Sequence, residues 1–486
     1  MALQTEQQKI AHLLRRFGLG ASESELDYYG KGGLSAAINR LLDVESVEDN
    51  WPFPLTLAAT GQGNLPMRAV QAFWYSRLVA TNRPLQERLT VFWHDHFATS
   101  GAKVVVGPAM HNHVEVLRQN ALGTFPNLLH AISKDPAMLF WLDNQENVAG
   151  RPNENFAREV MELFTIGIGR YTEKDVQEGA RAFTGWTYGR RTNRGVITPE
   201  RIPRGGQFQF DAKKHDSEEK VFLGRSGTFN GDDVLDLLCK EPATSRNIVK
   251  KMWEWFVYRD PETAVIERLA KRYEQSGLDT KVLVRAIMES PEFYSAKAEK
   301  GVVKDPVFFC VSTLRALGMA KIQLNLMQKA SEEPDAAAVA RTRPLALGAL
   351  CMQSTTSMGM ELMQPPDVAG WEIGTGWISS ATMIERIKWA ESVFGNRTRG
   401  GARFTAVNER EKGTYFHLIL GGISSPADSV DRIISILSAD SLYDKREVLV
   451  SAAVEASGGR VTPQNSAKVW LAVTKLIFGS PEYQFC

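Results

Sequence analysis

Cysteine is scarce in this chain. There are four among 486 residues, Cys239, Cys310, Cys351 and Cys486, and no two form a CxxC pair. That excludes a disulfide-stapled scaffold and points to a reducing compartment or inert buried thiols. No sign of charge dominates, because 57 Lys and Arg oppose 56 Asp and Glu for a net charge of +1. Such a balance offers no footprint for nucleic acid or for an anionic membrane. No stretch approaches the roughly 18 apolar residues that a membrane-spanning helix needs. Residues 1–10 are polar and lack an apolar signal core, so the expected location is the cytoplasm, with a periplasmic or extracellular one left open. Familiar catalytic motifs are also missing: GxGxxG after a strand, GxxxxGK[ST], HExxH and GxSxG do not occur. The standard dinucleotide, P-loop, zincin and α/β-hydrolase readings therefore fall away.

The composition is that of an ordinary folded protein, with 43% hydrophobic and 23% charged residues and a length that suits one to three domains. Helical periodicity dominates. Residues 8–17, 34–42, 67–81, 84–97, 110–121, 125–133 and 153–166 read as helices, with Pro84 in a first turn, where its missing N–H costs nothing. Between 187 and 231 the texture turns rich in Gly and Arg. The alternation Gln207-Phe208-Gln209-Phe210 and the short apolar run at 220–223 predict a β-ribbon there. Helical signals resume at Asp232 and continue to 478. The expected architecture is mainly α, a large multi-helical body with a small β-ribbon insertion. Its divisions are 1–186, 187–231, 232–395 and 396–486, with a surface loop at 332–335 and a Gly/Arg-rich linker at 395–403. One local repeat is visible: residues 287–293 (IMESPEF) echo 477–483 (IFGSPEY). They read as two similar helix ends, or as a duplicated helical unit.

Five of the eight histidines lie between residues 94 and 130. The sharpest cluster is Trp93-His94-Asp95-His96-Phe97. On a helix His94 and His96 point about 200° apart, so they share an ion only where the helix has ended. His96 falls on the face of Leu85, Leu89 and Phe92, and His94 on the opposite face with Glu87. His111 and His113 follow as a second pair. In the helix at 153–166, Asn153 suits a cap, and Phe156, Val160, Leu163 and Gly167 form the apolar stripe. Glu154, Arg158 and Glu162 are spaced for a ladder of ion pairs. Glu159 borders the stripe, where a carboxylate must be paired, metal-bound or neutral. Carboxylates and histidines on neighbouring helices are how bundles build metal sites. His215-Asp216, with Lys220 four residues on, is a candidate acid/base pair or a plain turn. Trp186 ends a helix, and residues 364–371 form a Pro-stiffened loop that ends in Trp371. Such tryptophans line grooves or plug helical cores.

Together these segments resemble the bacterial family called domain of unknown function 1800. The resemblance is carried by residues 11–20 (AHLLRRFGLG), 88–97 (RLTVFWHDHF), 153–165 (NENFAREVMELFT), 183–186, His215-Asp216, 222–224, 364–371 (QPPDVAGW) and the closing Ser-Pro-Glu-Tyr. Val160 stands where the family usually has Leu, and Asp95 where it often has Asn. The resemblance implies a mostly helical protein. It brings no settled activity. The frequent gene neighbour, an alkaline-phosphatase-like or sulfatase-like protein, hints at an exported or carbohydrate substrate.

Two functional expectations follow. The first is a metal-dependent enzyme, hydrolytic or oxidative. His94, His96, Glu159 and Glu162 would hold a divalent metal, and Glu159, His94, Arg158, His215 and Asp216 would serve catalysis. Trp186, Asp367 and Trp371 would line a substrate groove. The second is a non-catalytic binding or scaffold protein that acts with the phosphatase/sulfatase-like partner.

Overall fold

Several helices in this protein begin where a polar residue takes up the free N–H groups of a first turn. Thr5 caps Glu6–Phe17 through a reciprocal pair with Gln8, and the helix stops at Gly18. Ser22, Thr172, Asn230 and Ser379 build the same capping box at Glu23–Gly30, Glu173–Ala182, Gly231–Lys240 and Ser380–Phe394. In the computed structural model, residues 3, 5–48, 65–191, 197–199, 203–333, 343–395 and 409–486 are described. Most of the expected linker at 395–403, and positions 334 and 335 of the expected surface loop, lie outside them.

The architecture is mainly α with a small β insertion, as the periodicity predicts. The insertion is two sheets rather than one ribbon. Strands β1 (Trp186–Arg191), β2 (Ile197–Pro199) and β3 (Gln207–Phe210) form an antiparallel sheet in the order β2-β1-β3, with Trp186 opposite Phe210. β4 (Lys220–Phe222) and β5 (Arg225–Gly227) form a separate hairpin. Helix Glu173–Ala182 carries the fasteners. Asp175 accepts the N–H of Leu223 at 2.7 Å, and Glu178 accepts that of Val221 at 3.2 Å.

One apolar core runs through the helices on both sides of the insertion. Helices Met67–Ala80 and Pro84–His96 lie within it, and most of their residues are buried. Helix Ala346–Ser357 lies against the first of these. The contact is close because Gly348 faces the Ala72 carbonyl, where a Cβ would sit 2.0 Å from the oxygen. Among the described residues no single helix is long and apolar enough to cross a membrane.

The echo between 287–293 and 477–483 is real in three dimensions. Helices Thr280–Met288 and Ser466–Gly479 both end in a serine, Ser290 or Ser480. Its hydroxyl donates back to the carbonyl of Ile287 or Ile477, at 2.9 and 2.7 Å. A 3₁₀ turn follows, and Phe293 or Tyr483 docks into the core.

Helix propensity alone would make Gly348→Ala stabilising by about 1 kcal/mol. The clash reverses the sign. The substitution is expected to lower stability by roughly 1–3 kcal/mol, the usual cost of overpacking, as read by urea unfolding.

Candidate functional site

The helix Pro84–His96 is enclosed on all sides, so its polar side chains face other parts of the chain rather than water. Each finds a different partner. Glu87 accepts from Trp74 Nε1 at 3.1 Å and from Arg118 Nε at 2.5 Å. His94 Nε2 accepts the backbone N–H of Met363 at 2.9 Å. Asp95 Oδ1 accepts the N–H of Trp371 at 2.8 Å. His96 Nε2 donates to the carbonyl of Phe164 at 3.2 Å. His94 and Asp95 therefore hold the two ends of the loop 363–371. Gly370, at φ +88°, lets the loop press onto Asp95, because a Cβ there would lie 2.5 Å from Oδ1.

Burial fixes the protonation of this segment. It drives His94 down to about 3, helped by the neighbouring His113, and it lowers His96 as well, so both rings are neutral. It pushes the Asp95 carboxyl up to about 7, against the N–H of Trp371 and the charge of Lys251. The Lys251 ammonium is pushed down to about 8 by the same cause, against Asp95 and Glu254.

The acidic helix does meet the histidine helix, through its carbonyl end rather than its carboxylates. It runs Asn155–Glu159 and then widens into a π turn, Val160–Phe164. The wider turn changes the register, so Phe164 is buried and Leu163, expected on the stripe, is only partly so. The last carbonyls are taken by three side chains from outside: Leu163 by Lys251 at 2.8 Å, Phe164 by His96, and Thr165 by Asn247 at 2.7 Å. A cation and N–H donors at this end suit the helix dipole.

The expected four-ligand metal set does not assemble. Among the described residues no three His, Cys, Asp or Glu side chains are placed to hold one ion. The physical reason is that His94 and His96 spend their Nε2 atoms on backbone, while the carboxylates look elsewhere. Glu162 accepts from Tyr171. Arg158 pairs with Glu173 at 2.7 Å and with Glu154 at 3.3 Å, so the predicted ladder forms only in its first rung. Glu159 is half-buried and, among the described residues, has no hydrogen-bond partner. Desolvation raises its carboxyl, Glu162 adds to that, and Arg158 opposes it.

His215 and Asp216 fasten the insertion. His215 Nδ1 donates to the Thr184 carbonyl at 2.9 Å, and Asp216 takes Arg181 in a two-pronged pair at 2.8 and 3.2 Å. Lys220 donates to the Asp216 carbonyl at 2.6 Å. Of the second histidine pair, His113 is buried and bonds Asp135 at 2.9 Å, while His111 packs against Phe73. The expected groove residues are displaced too. Trp186 and Trp371 are core plugs, and Asp367 caps its own turn by accepting from Ala369 N–H at 2.8 Å.

A cleft of about 360 Å³ opens beside this seam, within the size range of ligand pockets. Its floor is the buried ion pair Arg88–Asp305, at 2.8 Å. Arg88 lies two helical turns before Asp95 on the same face. Asp305 caps Pro306–Ala316 through Phe308 N–H and faces Asp95 electrostatically. Glu254 and Trp255 come from Pro242–Phe256, the helix that carries Lys251. Glu372 and Trp377 come from the chain just after the clamped loop, and Phe485 closes the wall by pairing with Val303. Sequence reasoning missed Lys251, Asn247, Asp305, Glu254, Trp255, Glu372 and Trp377. Only Arg88 stood inside a motif already singled out.

This is a helical protein organised around a buried polar segment, with a polar, aromatic-walled cleft beside it. Residues 12–485 match the profile of the family described as Protein of unknown function (DUF1800), and the chain belongs to that family. No curated protein and no solved structure matches it.

The Asp95 carboxyl keeps its proton to about pH 7 in the fold, and a free Asp loses it near 4. The native state therefore binds more protons across that window, and this group's contribution to stability falls as pH rises through it. Asp95→Asn keeps an acceptor for Trp371 and removes the titration. Urea midpoints at pH 5 and pH 7.5 should fall less in the variant than in the parent, whereas equal falls would show that Asp95 titrates normally.

Proposed function

We propose that the protein is an enzyme that hydrolyses a polar small molecule, or the end of a polar chain, held in the cleft floored by Arg88 and Asp305. The observation that carries the reading is Glu254. Its carboxylate is largely sheltered in the cleft wall and, among the described residues, pairs only loosely with Lys250, at 4.0 Å. A carboxylate so placed is equipped to take a proton from water and return it to a leaving group. The Arg88 guanidinium lies in the same wall and suits a developing negative charge. Trp255 and Trp377 supply apolar faces that keep bulk solvent from the substrate. Lys251, pushed to about 8, sits one turn from Glu254, and perturbed groups of this kind cluster at functional sites.

A divalent metal has no part in this proposal, since His94, His96, Glu159 and Glu162 form no common donor set. His94, Arg158, His215 and Asp216 are assigned to architecture by their bonds. The rival reading, a non-catalytic partner of a phosphatase/sulfatase-like protein, draws on the family's gene neighbourhood and on no feature of the cleft.

The test is a panel of chromogenic esters, phosphates, sulfates and glycosides, assayed with the parent and with Glu254→Gln. Turnover of at least one class is expected. The variant should lose about 100-fold or more in kcat with its melting temperature little changed, because a loose 4.0 Å pair with an exposed lysine contributes little to stability. No turnover of any class, or full activity in the variant, overturns the proposal.

A further inference from the structure

Away from the cleft, one histidine is held by two carboxylates at once. His130 stands in the last turn of helix Phe125–Ser133. Its Nδ1 lies 2.9 Å from Asp232 Oδ1 and its Nε2 lies 2.9 Å from Asp236 Oδ1, both on helix Gly231–Lys240. A neutral imidazole has one N–H and one lone pair, whereas an ionised carboxylate only accepts. Both contacts are therefore satisfied only by the imidazolium, which donates twice and also suits a helix C-terminus. The charges balance in that state. Lys134 reaches Asp232 at 2.6 Å, so two cations answer two carboxylates. The other titratable groups of helix Gly231–Lys240 near them do not disturb the balance. Asp233 turns back to accept the N–H of Asn230 at 2.9 Å, and burial pushes the Cys239 thiol up, so it stays neutral beside Asp236. The β insertion meets the cluster through uncharged rings. Lys134 Nζ lies 5.4 Å from the ring centres of both Trp186 on β1 and Phe208 on β3. Gly231 presses on Trp186 so closely that a Cβ would sit 2.4 Å from its ring. Helix Gly231–Lys240 is thus seated on the sheet at its first residue and pinned to His130 by the two turns that follow.

We propose that His130 is a pH-sensitive clasp: its imidazolium locks helix Gly231–Lys240 onto helix Phe125–Ser133, and loss of its proton loosens the seat of the β1–β3 sheet. The neutral ring keeps one N–H, so one carboxylate is left facing a lone pair, and the four groups carry a net negative charge. Asp232 retains Lys134. Asp236 has no second cation among the described residues, so it is the one released. The bond to Asp232 holds the imidazolium above its ordinary range, partial burial opposes this, and Asp236 adds to it. A free histidine titrates near about 6.5. The clasp's contribution to stability is therefore whole below that pH and is lost as pH rises through the higher value of the folded protein. It stands independently of the cleft and of any activity there.

Two measurements on the intact protein test it. The first is an NMR titration of the histidine ring carbons, with the His130 signal assigned by its loss in His130→Gln. The midpoint should lie above about 6.5, and Asp236→Asn, a change at an exposed position, should bring it down. The second is hydrogen exchange of the β1 and β3 amides at pH 6 and pH 8.5, corrected for the intrinsic effect of pH. Asp95 titrates in an overlapping window, so the readout is the difference between the parent and His130→Gln. Protection should fall at least about twofold more in the parent, the scale of a partly exposed ion pair. A parent midpoint at or below about 6.5, or the same loss of protection in both proteins, overturns the proposal.

Discussion

A helix enclosed on every side can keep a polar side chain only by giving it another part of the chain to hold. That constraint organises this protein. Successive residues His94, Asp95 and His96 leave the helix Pro84–His96 in different directions, and each takes a main-chain group: Met363 N–H, Trp371 N–H and the Phe164 carbonyl. Leaving any one of these groups buried and unpaired would cost about 1–3 kcal/mol. Three bonds from three adjacent residues thus tie the loop 363–371 and the end of the acidic helix to one central rod.

The cleft follows from this arrangement. Clamping Trp371 fixes where the chain re-emerges, and the next six residues supply Glu372 and Trp377 to the cleft wall. The same central helix supplies Arg88 from two turns earlier, so the loop and the floor are referenced to one element. Pro242–Phe256 contributes on both sides. Asn247 and Lys251 cap the π turn, and Glu254 and Trp255 face the cleft. A single rigid scaffold positions the candidate catalytic carboxylate and the perturbed lysine one turn apart.

Much of the fold was legible, because amphipathic periodicity is local. The paired Ser-Pro-Glu helix ends and the position of the β insertion rest on residues within a few places of one another; the capping boxes at Thr5 and Ser22 are as local but were not read, and helix Glu23–Gly30 was missed with them. The site was legible only in part. The two polar segments chosen from sequence do meet, but spacing cannot say whether side chains or carbonyls make the contact. The π turn, which no periodicity announces, moved Phe164 inward, and the caps from Asn247 and Lys251 come from about 80 to 90 residues away. His94 and His96 looked like ligands because their backbone partners are invisible in a sequence. The cleft residues Asp305, Glu254 and Trp377 sit in unremarkable helix starts and turns, and only tertiary packing gathers them.

The central claim is that His94 and Asp95 hold the loop through the amides of Met363 and Trp371. Amide hydrogen exchange on the intact protein tests it directly. Both amides should exchange as slowly as those of the core helices, and His94→Ala should release Met363 while Trp371 stays protected. Exchange of both at the rate of free loop amides in the parent protein would contradict the account.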